Sequence, residues 1–252
     1  MRPLLLALAF LLLAPPALAE RLVATISREE VAITSSFDGE TLTFFGNIEP
    51  EAGAAQPFVT GPYHVIIVVT GPRQDRVARR KSNVLGTWIN TRQVVFEDFP
   101  SYFHLLSDTR LENITNPITI AGLEILPEQQ ARFSAVAGWW DSVVFGDELV
   151  RLMEQKGLFG INEQGVLFRS DTLYSAQLTL RSDVPPGPYL AHTYLFKDGV
   201  LVAERSDGFS VRKTGFERFL GLAAVQQPLL YGLACVILAL FTGWLGGVVF
   251  KR

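Results

Sequence analysis

The chain has 252 residues, with 22 Lys and Arg against 25 Asp and Glu, three His and a formal net charge of −3. That balance excludes a generally nucleic-acid-binding chain and a polybasic membrane-surface protein. The single cysteine, Cys235, lies in an apolar C-terminal run, so the exported part predicted below has no disulfide, thiol redox chemistry or cysteine-held metal.

The N-terminus, "MRPLLLALAFLLLAPPALAER", has the cationic Arg2, an eleven-residue apolar run from Leu4 to Ala14, and the small-x-small step Ala17-Leu18-Ala19. Eleven residues at about 1.5 Å each fall short of the roughly 30 Å hydrocarbon core of a bilayer. Residues 1–19 are therefore predicted to be a cleaved secretory signal. Loss of Arg2 takes the mature net charge from −3 to −4. About 200 residues remain outside the membrane, enough for a sizeable core.

The exported part, residues 20–212, reads as mainly β and as a single composite domain. "VAITSSFDGETLTFFGNI" alternates apolar and polar residues around Asp38-Gly39, a hairpin signal. "YHVIIVVTG" (63–71) is a continuous β-branched run suited to a strand buried on both faces. "VLGTWIN" and "RQVVFEDF" predict two further short strands, and residues 165–211 form a second β-rich block with turns at Pro185-Pro186-Gly187-Pro188 and Asp198-Gly199. Between the blocks, about 127–157 has helical spacing and ends at Gly157, a plausible C-terminal cap. The expected architecture is an immunoglobulin-like antiparallel sandwich with a helical insertion.

Residues 213–227 carry a modest amphipathic stripe through Phe216, Phe219, Leu220 and Leu222, which predicts a juxtamembrane helix. Residues 228–250 are uncharged and dense in Leu, Val, Ile, Ala, Phe and Gly, which predicts a transmembrane helix with Tyr231 and Trp244 near its ends. A cleaved signal followed by this run places residues 20 to about 225 outside the cytoplasm and leaves only Lys251 and Arg252 inside.

Several residues are candidates for recognition. Arg76, Arg79, Arg80 and Lys81 concentrate cations in an otherwise acidic chain, and Arg suits bidentate capture of oxyanions. A solvated connection beside a packed indole is the simpler reading of the same stretch, with Trp88 in the core and Asn90 on its strand face; anion or partner recognition is the alternative. Trp139-Trp140-Asp141 cannot all face inward on a helix, so one ring is expected at the surface. His64, His104 and His192 show no metal-ligand spacing, and neither a nucleophile elbow nor a phosphate loop is present. No metal or cofactor is expected. Within the predicted span, Cys235, Ala239, Gly243 and Gly247 recur every four residues and form a small-residue face on which another helix can pack.

The segments "ARRKSNVLGTWIN…VVFEDFPSYFHLLSDTRLENI", "PPGPYLAHTYLFKDG" and "FERFLGLA…PLLYGLACV…GWLGGVVFKR" resemble an alphaproteobacterial transmembrane protein family with one C-terminal span and no established activity. The resemblance covers nearly the whole mature chain. It implies a periplasm-facing protein and, because members tend to be encoded beside them, a sulfite-exporter-type permease as one partner; it transfers no catalytic residue. The expected function is thus a non-enzymatic accessory protein in contact with the lipid bilayer and with a transporter, an envelope complex or a second copy. The alternatives are a small-anion binding or sensing module and a hydrolase assembled from distant His, Asp and Ser residues.

Overall fold

The computed structural model describes residues 20–33, 39–50, 58–214 and 216–249. The signal over 1–19, Asp38 of the first turn and the last residues of the chain lie outside them. The protein is mainly β, with several antiparallel sheets and one apolar C-terminal helix.

Four strands form one sheet in the order β1 (Glu20–Ile26), β3 (Glu40–Pro50), β11 (Leu173–Leu180) and β10 (Val166–Phe168). Six form another, β2 (Glu30–Ile33), β13 (Val200–Lys213), β12 (Gly187–Lys197), β4 (Tyr63–Thr70), β7 (Phe103–Ser107) and β9 (Phe159–Asn162). Pairing is antiparallel except where β2 meets β13 and β9 meets β7. Phe44 on β3 packs edge-on against Phe209 on β13 at 6.5 Å, so the two sheets share one core. Val65 through Val69 on β4 are buried on both faces, as the unbroken β-branched run predicts. Tyr189 stacks on Phe209 and donates its hydroxyl to the Pro185 carbonyl at 2.7 Å, which pins the proline-rich turn to the sheet.

The helical region is more broken than its sequence suggests. Short helices α1 (Leu111–Ile114) and α2 (Pro117–Gly122) precede it, and a two-residue strand, β8 (Ala135–Val136), separates α3 (Pro127–Ser134) from α4 (Trp139–Gln155). Phe96, Phe99, Phe159 and Phe103 touch in series and carry the core from the six-stranded sheet toward these helices. Gly157 caps α4 as expected: at φ +69° it lets Leu158 N–H reach Met153 O and its own N–H reach Glu154 O.

A third sheet joins β5 (Arg73–Val84), β6 (Thr87–Pro100) and β8. Here the structure corrects two expectations. The cationic run is a strand rather than a connecting loop, and the two short strands expected between 84 and 99 are one strand of 14 residues. Beyond β13, α5 (Phe216–Gln226) fills the juxtamembrane stretch and α6 (Pro228–Val249) follows with proline at its first position, where no backbone N–H is needed.

Candidate functional site

The feature that stands apart from the packed domain is a hairpin arm. β4 and β7 pair within the six-stranded sheet, with Thr70 opposite Phe103. The ladder then continues through Gly71 N–H to Tyr102 O and Ser101 N–H to Pro72 O, and Arg73 faces Pro100. The same two chain segments thus run off the end of the sheet as β5 and β6. Gly71 marks the exit because a β-carbon there would lie 2.7 Å from Tyr102 Cβ.

Packing fades along the arm. Val94 and Phe96 still reach the core, whereas from Arg79 to Gln93 every described residue except the half-buried Ser82 is exposed on whichever face it occupies. Two register shifts, beside Asp75 and at Thr91, increase the local twist. The side chains fall in an axial order. Arg79, Arg80, Lys81 and Arg92 form a collar, and Val84, Leu85, Trp88 and Ile89 form the tip. Trp88 is 67 % exposed, so the core position expected for it is wrong. It occupies the same face as Lys81 and Asn90, while Gly86 lies in the turn.

Most of the collar's charge is uncompensated. Arg80 faces Arg92 directly across the ladder, a like-charge pairing that disfavours the hairpin. Arg73 and Arg92 find Asp98 and Asp141 at 3.3 and 3.1 Å. Among the described residues, Arg76, Arg79, Arg80 and Lys81 make no ion pair with a carboxylate. The turn is also strained. Leu85 and Gly86 have φ +52° and +84°, the pattern of a two-residue type I′ turn, in which Asn-Gly is favoured and a bulky apolar residue is an outlier. Asn83 Oδ1 accepts from Gly86 N–H at 2.9 Å, and Leu85 is fully exposed.

The Arg92–Asp141 pair ties the collar to the start of α4, where Trp139 and Trp140 stack at 5.5 Å and 8°. Both rings are 72 % exposed, where only one was expected outside.

The three histidines do not converge. His64 Nδ1 meets Asp108 Oδ2 at 2.7 Å beside β4. His104 lies under Tyr102 and faces Gly157 O at 3.4 Å, and burial lowers its pKa below the ordinary 6.5. His192 Nδ1 meets Ser206 Oγ at 2.7 Å, again with a pKa lowered chiefly by burial. Among the described residues, no three His, Cys, Asp or Glu side chains gather as metal ligands.

Helix α6 contains the one stretch among the described residues long and apolar enough to cross a membrane, Pro228–Val248, 21 residues reaching a mean hydropathy of 2.0. None of its apolar window is buried by the other described residues. A β-carbon on Gly243 or Gly247 would meet nothing within 4 Å outside the helix itself, and Cys235 is exposed beside them. The family model described as "Putative transmembrane protein (Alph_Pro_TM)" matches residues 21–252. The chain belongs to this family. No curated protein matches it.

The arm's strain and its unpaired cations were not visible in the sequence. The turn could have been suspected from Leu85-Gly86 between two runs of strand-forming residues, but leucine in its first position points away from a tight hairpin.

Proposed function

We propose that this member of the family is a single-span, non-enzymatic accessory protein. Its β-rich domain stands in the periplasm, and α6 packs in the inner membrane against another membrane protein. The observation that carries this reading is the uncovered face of α6. Cys235, Ala239, Gly243 and Gly247 present small side chains along one line, and among the described residues a β-carbon on either glycine would meet nothing within 4 Å outside the helix. Close approach of a second helix is what such a line favours where lipid supplies no hydrophobic drive. A polytopic permease of the sulfite-exporter type or a second copy of the chain would fit.

The test is crosslinking and co-purification from native membranes with wild type, Gly243→Leu and Gly247→Leu. A β-carbon at either position clashes with none of the described residues, so loss of a co-purifying protein reports a partner's helix. An unchanged partner set refutes the packing face.

A second reading, small-anion recognition by the collar, is supported by Arg80 opposite Arg92 and by the absence of carboxylates beside Arg79, Arg80 and Lys81 among the described residues. Titration of the purified chain with sulfate, sulfite and phosphate, against a variant with all three neutralised to Gln, tests it.

A further inference from the structure

We propose that the tip of the hairpin arm seats in the headgroup layer of an anionic bilayer, the one that α6 crosses, with Arg79, Arg80 and Lys81 on lipid phosphates. The inference deepens the anion reading and rests on α6 being a membrane span; it stands whether or not α6 has a protein partner.

Direction and reach come from the strand register. Thr70 on β4, Leu190 on β12 and Gly208 on β13 lie at one level of the sheet, and β4 and β13 run the same way. Beyond that level β13 continues to Lys213 and then to α5 and α6, while β4 continues into the arm. Leu85 is fifteen residues past Thr70, at most ~50 Å at about 3.3 Å per residue, and the bulges shorten this. From Gly208 to Lys213 is ~16 Å. The eleven residues of α5 add ~16 Å, and the links on either side of it at most ~16 Å more, before Pro228 begins the span. The arm therefore leaves on the side of the anchor and is long enough to reach it.

The chemistry selects lipid over a protein groove. A strand or ribbon that docks on a protein offers one face or one edge. Here the order is axial: Trp88 lies on one face, Val84 and Ile89 on the other and Leu85 at the end, so apolar surface surrounds the tip on all sides. Cations follow on both faces, three to five residues back, or roughly 10–16 Å. That spacing suits an interface into which apolar groups sink about 5–10 Å while Lys and Arg stay at the anionic surface. Tryptophan favours the same layer. The outer edges of a two-stranded ribbon carry unpaired backbone groups, which holds the tip at headgroup depth and out of the hydrocarbon. A strained, fully exposed leucine in the turn is the residue that this seating explains.

The test uses the full chain with Cys235→Ala, carrying a nitroxide at Thr87→Cys beside the tip or at Val200→Cys at the other end of the sheet. Each is placed in nanodiscs of phosphatidylcholine with phosphatidylglycerol, or of phosphatidylcholine alone. Accessibility of the nitroxide to oxygen against a water-soluble nickel chelate gives its depth. The expected result is a Thr87 label at headgroup depth in the anionic discs, a Val200 label in water, and a shallower Thr87 label without phosphatidylglycerol. Each cation near an anionic surface contributes about fivefold, so changing Arg79, Arg80 and Lys81 together to Gln lowers the seating equilibrium by on the order of 100-fold. A Thr87 label in water in both discs overturns the proposal. So does equal depth with and without anionic lipid, or spin–spin broadening between copies, which makes the occupant a second chain. A label that stays in water while inorganic phosphate binds the same three cations returns the collar to free-anion recognition.

Discussion

Replacing Leu85 by Asn separates what the arm needs for folding from what it needs for contact. Leu85 has φ +52° and is fully exposed, so the side chain contributes no packing within the chain. A left-handed conformation costs an L-residue roughly 1–2 kcal/mol, and Asn tolerates it far better because its short polar side chain bonds locally. The residue after it is Gly86, so Leu85→Asn creates the Asn-Gly pair that type I′ turns favour. The expected gain is about 1 kcal/mol, felt where the arm opens without the rest of the domain. Native-state hydrogen exchange of the amides between 79 and 93 is the assay, since a lone two-stranded ribbon opens locally. Slowing of about fivefold or more is expected in detergent. The same variant is expected to reduce seating in anionic nanodiscs. Unchanged or faster exchange would show that the turn is not strained, and the case for a functional leucine would go with it.

Other outcomes follow from the core. A β-carbon on Gly46 would overlap the hydroxyl end of Tyr174, which lies fully buried on the neighbouring strand, so Gly46→Ala overpacks the four-stranded sheet. It is expected to cost ~1–3 kcal/mol and to lower the melting temperature of the domain by several degrees, read by circular dichroism. Gly157→Ala places a β-carbon on a residue at φ +69°, 3.0 Å from Arg181 Nη1, and is expected to lose ~1 kcal/mol or more in the same measurement. His104 and His192 both have pKa values lowered chiefly by burial, so the unfolded chain binds more protons than the folded one as pH falls. Stability is therefore full above the ordinary histidine value of 6.5 and falls below it, by at most ~1.4 kcal/mol per pH unit for each proton. Chemical denaturation from pH 8 to about 5 checks the sign, and His104→Gln is expected to flatten the slope.

Sequence patterns carried the parts of this structure that burial governs. The β-branched run of β4, the cap at Gly157 and the apolar length of α6 each follow from one local rule, and each lies where that rule places it. The arm escaped because it obeys no burial rule. Trp88 reads as core since most tryptophans are, and Arg79, Arg80 and Lys81 read as a loop since cations so dense seldom form a strand. What made them a strand is the pairing of β5 with β6, an extension of the β4–β7 ladder that no single-strand pattern reports. The helical stretch failed differently. Phe133 and Val136 match an apolar helical stripe, yet both are exposed, and the chain pauses at β8 to pair Val95 with Val136. For the recognition residues, composition located the cations but not their missing counter-charges, which only the folded arrangement reveals.

Anchor and arm gain meaning when taken together. A domain joined to α6 through α5 and Gln227 is held beside the bilayer that α6 crosses, and the described residues of α6 are uncovered by the domain. A second contact with the same bilayer is then intramolecular. Its effective concentration is set by the short connection, so even an intrinsically weak seating is populated. The like-charge pairing of Arg80 with Arg92 and the strained turn fit that logic: each slightly disfavours the arm in water, and in the proposed seating headgroups offset both. Seating the tip would fix the tilt of the six-stranded sheet about the anchor and, with it, the side of α6 that Cys235, Ala239, Gly243 and Gly247 offer to a neighbour. Neutralising the collar should therefore weaken capture of a partner at α6 although it touches no residue of that helix. Equal crosslinking yield in wild type and the collar variant would show instead that the two surfaces act independently.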